Sequence, residues 1–226
     1  MNTLINATAL LLALGLIACS GADQSGASPE QLRALRAAAT THAGKSLDTL
    51  QRDADAMSLA QDLFAAHCAS CHGADARGKL RVPDLAGAVL DYGATADAIR
   101  HTISAGRHSV MPKFGHLLGE FELGVMAAYV KSFSNGEPLE AKFLDTARSR
   151  YAEHCVACHG EDLRGNAVLG VPDLTDASWQ FAGSVNGVRM TMTGGTESVC
   201  PPHGSMLSAA EIELLTAQVL ALRAAR

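Results

Sequence analysis

The sequence has few aromatic side chains, no cluster of basic residues and no apolar run long enough to cross a bilayer comfortably. Only ten of its 226 residues are Phe, Tyr or Trp, although this length predicts one large or two small domains, each with a core to fill. Either the cores are small and aliphatic, or a group that is not an amino acid fills them. The net charge of −5, without a run of Lys or Arg, excludes nucleic acid as an expected partner.

Charged side chains are absent from the first 22 residues. The apolar run from Leu4 to Cys19 is shorter than the about 20 residues of a membrane-spanning helix and has the size of a signal-peptide core. Its end, Leu16-Ile17-Ala18-Cys19, resembles the lipobox of bacterial lipoproteins, although no Lys or Arg precedes the run. The resemblance implies a signal peptide over 1–19, a lipidated Cys19 and a membrane-anchored periplasmic lipoprotein. A short uncleaved anchor with an incidental cysteine is the alternative.

The chain after the apolar run divides into a linker and two copies of one unit. Residues 20–55 are rich in small and polar side chains and are predicted to be a linker. A short helix is expected within it from Pro29 to Ala39, capped by Ser28. The copies are predicted to form one domain over 56–136 and another over 139–226.

The two copies align closely and carry helical patterns. Each repeats Val-Pro-Asp-Leu, at Val82 and at Val171, and each ends in a helix with one apolar face. These faces consist of Leu123, Met126, Ala127, Val130 and Phe133 in the first copy and of Ile212, Leu215, Thr216, Val219 and Leu222 in the second. No segment alternates convincingly as a strand would, so the predicted fold class is all-α.

Both copies open with C-x-x-C-H, the covalent attachment signature of c-type haem. Two thiols on one helical turn can form thioethers to the haem vinyl groups, and the adjacent His then ligates the iron. A redox dithiol or half of a zinc site would use similar residues, but a zinc site needs four ligands in one cluster. These motifs are 87 residues apart. The sequence therefore predicts two covalently bound haem c groups, attached through Cys68, Cys71, Cys155 and Cys158 and ligated by His72 and His159.

Each copy resembles a class I c-type cytochrome domain, and the pair resembles the periplasmic dihaem subunit of cbb-type haem–copper oxidases. The closer likeness to that subunit lies between Cys155 and Trp179. The resemblance implies that Met111, 39 residues after His72, is the distal ligand of the first haem. It also implies that the carbonyl groups of Pro83 and Pro172 accept a hydrogen bond from the ligating histidines.

The second copy departs from this pattern, because the alignment places Cys200 where the first copy has Met111. A thiolate ligand would lower the reduction potential of the second haem. Three possibilities stay open at this point: Cys200 is the ligand, another residue is, or the distal site is open with Cys200 nearby. The candidates for the second possibility are His203, Met206, Met190 and Met192.

The expected function is electron transport rather than catalysis. A tethered dihaem cytochrome would carry electrons in the periplasm from a membrane donor to a terminal oxidase or reductase. The alternative is a haem enzyme or redox sensor that uses a Cys-ligated second haem, for example to oxidise thiosulfate. A structural subunit of a respiratory complex is a third class. The expected partners are redox proteins and, through Cys19, the membrane.

Overall fold

The computed structural model of the protein describes residues 26–79, 82–87, 89–180 and 183–225. The apolar run that ends at Cys19 lies outside these ranges. Among the described residues, no helix has the length and apolar character needed to cross a membrane. In chain order, the elements are α1 (Pro29–Ala39), a 3-10 turn (Thr40–His42), α2 (Leu47–Arg52), α3 (Ala54–His67), α4 (Ala69–His72), α5 (Ala96–Ala105), β1 (Arg107–Met111), α6 (Glu120–Asn135), α7 (Ala141–His154), α8 (Val156–His159), α9 (Val185–Gly194), β2 (Thr196–Cys200) and α10 (Ala209–Ala224).

Helix α1 has the bounds that the sequence predicted. The Ser28 hydroxyl accepts a hydrogen bond from the Gln31 backbone N–H, and the Gln31 side chain accepts one from the Ser28 N–H, which closes a capping box. Helices α1 and α2 both pack against α3, and Ala39 and Leu50 are fully buried there. From Ser28 onward, the segment predicted to be a linker therefore belongs to the folded unit.

The first hydrophobic core combines elements from both ends of the chain. Helix α3, which leads into the first C-x-x-C-H motif, packs against α10, the last helix of the second copy. Leu63 of α3 and Leu214 and Leu215 of α10 are at most 1% exposed. Fully burying a leucine stabilises the fold by about 1.5–3 kcal/mol. Helix α5 also packs on α10, where Glu213 pairs with the Arg100 guanidinium at 2.5 Å.

The second core has the reciprocal arrangement. Helix α7, which leads into the second motif, packs against α6, the last helix of the first copy. Met126 of α6 and Tyr151 of α7 are buried in this core. Arg150 of α7 pairs with Glu122 of α6 at 2.7 Å. The predicted faces of α6 and α10 are buried except at Phe133, which is 43% exposed, and at Leu222, which is partly buried. Each helix, however, covers the opening helix of the other copy.

The crossing takes place at a two-stranded antiparallel ribbon. Strand β1 pairs with β2 so that Arg107 faces Cys200 and Met111 faces Thr196. Gly106 begins the crossing with a φ of 71°, and a Cβ atom there would come within 2.5 Å of the Cys200 carbonyl oxygen. A side chain at this position would therefore be strained and would collide with the ribbon.

The described part of the chain is mostly helical, as predicted, and the ribbon is what the all-α prediction omitted. Each strand has only five residues, which is too short for alternation to stand out locally. The strands exist because two distant segments pair, one from each copy.

Candidate haem sites

The first motif follows directly from α3. That helix ends at His67, and the chain turns at Cys68 into the single turn of α4, which ends at His72. The Nδ1 atom of His72 lies 3.1 Å from the Pro83 carbonyl oxygen. Because a carbonyl group only accepts, Nδ1 must carry the proton, and Nε2 is left free to ligate a metal. The contact predicted for Pro83 is confirmed.

The second motif repeats this geometry after α7, where the chain turns at Cys155 into α8. His159 is only 9% exposed, and burial lowers the pKa of its imidazole, an effect that the nearby Pro172 carbonyl opposes. That carbonyl is near, but the buried Nδ1 atom has no hydrogen-bond partner among the described residues, so the hydrogen bond predicted for Pro172 is not formed here. The neighbouring Tyr151 hydroxyl donates a hydrogen bond to the Gly160 carbonyl at 2.8 Å.

None of the five described cysteines forms a disulfide. Burial raises the pKa of the Cys68 thiol to about 12 and that of the Cys155 thiol to about 11. Neither of these two thiols is therefore activated as a thiolate nucleophile. The described residues also contain no group of three or more His, Cys, Asp or Glu side chains placed to hold a metal ion, so no zinc cluster includes the motifs there.

A cavity adjoins the second motif and has the character that a haem requires. One side presents the motif cysteines and His159, and the walls are mostly apolar or aromatic. The Trp179 indole N–H is buried there without a hydrogen-bond partner among the described residues, which leaves a donor for a polar group at the edge of a bound molecule. The residues that line this cavity include Met111, Val130, Tyr151, Cys155, Cys158, His159, Leu174, Trp179, Val188 and Met192. Attachment thiols, a buried imidazole and an apolar slot in one place fit a haem.

The structure places Met111 in this second cavity, together with His159. The sequence predicted Met111 for the first haem, and the structure corrects this placement, because the residue lies beside the second motif. The physical reason is the ribbon: β1 carries the chain across to the other core, so that Met111 packs against the buried residues around α6 and α7.

Cys200 lies on the opposite side, beside the first motif. The segment after it is held on α5, because the His203 N–H donates to the Ile103 carbonyl at 3.0 Å, and the Cys200 thiol lies near those of Cys68 and Cys71. The placement of Cys200 beside the second motif, which the alignment implied, is therefore corrected. Burial raises the pKa of the Cys200 thiol, and the Arg107 guanidinium opposes this shift.

The other candidate ligands occupy different environments. Met192 lines the second cavity beside Met111 and is 4% exposed. Met190 and Met206 are 63% and 47% exposed, which does not suit a ligand enclosed by a haem pocket.

Three further residues, which the sequence did not mark as functional, connect the first copy to the second. The Tyr92 ring lies against Gly170, where a Cβ atom would come within 2.0 Å of the ring. The Arg107 guanidinium lies 4.4 Å from the centre of the same ring, at cation–π distance. Asp91 lines the second cavity. Gly170 was the available signal, because a glycine between apolar residues often marks a close approach.

Each C-x-x-C-H turn has two free thiols and a histidine that is buried or oriented by a backbone carbonyl, and a sulfur side chain lies near each motif. These features define a c-type cytochrome with two haem sites. Comparison with known proteins specifies the family. The profile of "Cytochrome C oxidase, cbb3-type, subunit III" matches residues 55–130 and 143–217. The chain belongs to this family, a family of dihaem cytochromes c.

Curated relatives agree with this assignment. The subunit CcoP of a cbb3-type cytochrome c oxidase from Rubrivivax gelatinosus is 35% identical over 176 residues, which cover 77% of this chain and 57% of the relative. FixP from Azorhizobium caulinodans is 32% identical, with 83% of this chain and 69% of the relative covered. FixPc from Rhizobium leguminosarum bv. viciae is 31% identical, with 86% and 70% covered. The chain thus spans between about half and about two thirds of the length of these relatives.

Proposed function

We propose that this protein carries electrons in the periplasm between a membrane-bound donor and a terminal oxidase of the cbb3 type. The observation that carries the proposal is the pair of C-x-x-C-H turns with unoxidised thiols, each in a core shared by both copies. Two haems bound in one compact protein would supply two one-electron redox centres. Membership in the cbb3 subunit III family supports an oxidase as the acceptor.

The residues of the chain have separate tasks in this function. The four motif cysteines hold the haems covalently, so that neither can dissociate during turnover. His72 is oriented by the Pro83 carbonyl at 3.1 Å, which fixes the imidazole plane and raises its basicity as a ligand. The mostly apolar walls of the second cavity would limit the contact of a bound haem with water, and solvent exposure is one of the factors that set its potential.

Electron delivery can be measured with the purified dihaem protein. We would add the ascorbate-reduced protein to a cbb3-type oxidase core from which its own dihaem subunit has been removed, and follow oxygen consumption. Restored oxygen uptake is expected, with the double variant Cys68→Ala, Cys71→Ala as the control that lacks one haem. Oxygen uptake no faster than with that control would refute the proposal.

The anchor at Cys19 stays part of the proposal. It lies outside the described residues and depends on the lipobox resemblance alone. Incorporation of labelled palmitate into the wild-type chain, and its loss in Cys19→Ala, are the expected results. A labelled Cys19→Ala chain or an unlabelled wild-type chain would contradict lipidation.

Thiosulfate oxidation at a Cys-ligated haem is the competing function. The structure places Cys200 beside the first motif, where the charge of the Arg107 guanidinium acts on its thiol, so this function would belong to the first haem. Steady reduction of the haems by thiosulfate, abolished in Cys200→Met, would establish this enzyme function instead.

A further inference from the structure

We propose that the axial ligands are exchanged between the two sequence copies. Cys200 from the second copy would complete the haem held by His72, and Met111 from the first copy would complete the haem held by His159. This goes beyond the proposed electron transport, because a relay would work equally well with both ligands from one copy. It depends only on haem attachment, so its tests are separate from those of the oxidase partnership.

The second site carries the first half of this assignment. Met111 lines one cavity with Cys155, Cys158 and His159. The chain after Met111 is fixed to α9 of the second copy, because the Phe114 N–H donates to the Met192 carbonyl at 2.8 Å and the Gly115 N–H to that of Thr193 at 3.3 Å. The backbone thus holds the methionine loop on the second unit, away from His72.

The same contacts hold the other loop on the first unit. The His203 N–H donates to the Ile103 carbonyl at 3.0 Å, and the Gly204 N–H to that of Ser104 at 2.9 Å. Both acceptors are on α5 of the first copy. This places the segment from Cys200 to Gly204 beside the first motif, where the Cys200 thiol neighbours those of Cys68 and Cys71.

The ribbon explains why the two ligands reach different sites. Met111 ends β1 and Cys200 ends β2, and the strands are antiparallel. The two residues therefore lie at opposite ends of a five-residue ribbon, about 14 Å apart along it at the usual rise of about 3.4 Å per residue. The pairing of the two strands thus brings the ligand of each copy to the haem site of the other.

The exchange reverses the order of potentials that the sequence suggested. A thiolate stabilises ferric iron, whereas a thioether raises the potential. The first haem, nearest the N-terminus, would then be the low-potential centre, and electrons would rest on the second haem at equilibrium.

Nuclear magnetic resonance of the reduced, intact dihaem protein tests the methionine half without any substitution. The ε-methyl group of a haem-bound methionine is shifted far upfield by the ring current, and carbon-13 labelling of the methionine methyls identifies it. We expect its nuclear Overhauser contacts to reach Trp179 and Val188 of the second unit. Contacts to Leu85 and Ile103 of the first unit would overturn the exchange.

Two substitutions test the ligands themselves. Cys200→Met should remove the low-spin thiolate signal from the electron paramagnetic resonance spectrum of the ferric protein and raise only the lower of its two potentials. Met111→Leu should abolish the upfield methyl signal, whereas Met192→Leu, in the same cavity, should preserve it. An unchanged spectrum in Cys200→Met would refute the thiolate, and loss of the methyl signal in Met192→Leu alone would refute Met111.

Single-haem variants then assign each ligand to its haem. In the double variant Cys155→Ala, Cys158→Ala, only the haem of the first motif stays attached, and Cys200→Met should change its spectrum while Met111→Leu leaves it unaltered. The opposite result would show that each copy uses its own ligand. If this variant does not fold, the methyl contacts of the intact protein decide the question.

Discussion

At the scale of single residues, corresponding positions of the two copies have diverged in ways that the structure explains. Phe64 and Tyr151 each lie four positions before the first cysteine of a motif. Only the tyrosine has a hydroxyl group, and it donates to the carbonyl of Gly160, just after the second motif, at 2.8 Å. The second turn is therefore fastened by a hydrogen bond that a phenylalanine cannot make.

Tyr151→Phe should make the second copy resemble the first at this position. Loss of a partly buried hydrogen bond is expected to lower the free energy of unfolding by about 0.5–1.5 kcal/mol. Chemical denaturation of the haem-loaded protein would measure this. Tyr129→Phe is the matched control, because the Tyr129 hydroxyl makes no hydrogen bond within the described part of the chain. An equal loss in both variants would mean that the hydrogen bond is unimportant.

Asp91 provides a prediction about pH. Burial raises the pKa of this carboxyl group to about 6, and Asp176 adds to the shift. Because the folded state binds the proton more tightly than the unfolded chain, where the pKa is 3.8, protonation of Asp91 stabilises the fold. That contribution is fully present below about pH 4 and is lost as the pH rises through about 6.

Asp91→Asn should therefore flatten the dependence of thermal stability on pH between 4 and 7. The expected difference is largest near pH 7, where the wild-type carboxylate is charged and the amide is not. Thermal unfolding at half-unit steps of pH would measure it. The control Asp62→Asn alters an exposed carboxylate on α3 and should leave the curve of the wild type unchanged. If Asp91→Asn has the same dependence of thermal stability on pH as the wild type, the raised pKa of Asp91 is contradicted.

At the scale of secondary-structure elements, the buried faces of α6 and α10 were readable from the sequence, whereas their partners were not. The i, i+3, i+4, i+7 pattern that includes Met126 and Leu215 identifies a buried stripe. Both residues are 1% exposed, which confirms the pattern at these positions, whereas Phe133 of the same predicted stripe is 43% exposed. The pattern does not state which opening helix covers the stripe, because the spacing of apolar residues describes one helix and not its neighbour.

Truncating one buried residue on each helix separates the two cores. Leu215→Ala and Met126→Ala should each cost about 2–5 kcal/mol, since both leave a cavity in a closed core. Leu215→Ala should increase amide hydrogen exchange in α3, and Met126→Ala should do so in α7. Mass spectrometry of the corresponding peptides would measure this. The reverse pairing would show that each terminal helix covers its own copy.

At the scale of the whole molecule, the two sequence repeats are not the two packing units. Each core takes its opening helix and motif from one copy and its closing helix from the other. Residues 135–138 join α6 to the start of the second copy and are exposed. The connection between the copies is thus accessible to a protease, while each core contains elements from both sides of it.

Cleavage at a protease site introduced between Gly136 and Glu137 should therefore leave the protein assembled. Both fragments are expected to elute together from a gel-filtration column, with the haem spectra unaltered, because neither fragment contains a complete core. They should separate only in denaturant. Two independently eluting fragments, each with a native spectrum, would show that the copies fold separately.

The sequence by itself determined where the two C-x-x-C-H motifs lie and predicted α1, α6 and α10. The attachment cysteines, His72 and His159 follow from a five-residue spacing, and the helices follow from caps and apolar periodicity, all of which act over one or two turns. The tertiary structure alone decided which sulfur faces which motif. Met111 and Cys200 occupy equivalent places in nearly equivalent copies, so local pattern could not tell their destinations apart. Pairing of β1 with β2 settles this, because an antiparallel ribbon delivers its two strand ends to opposite cores.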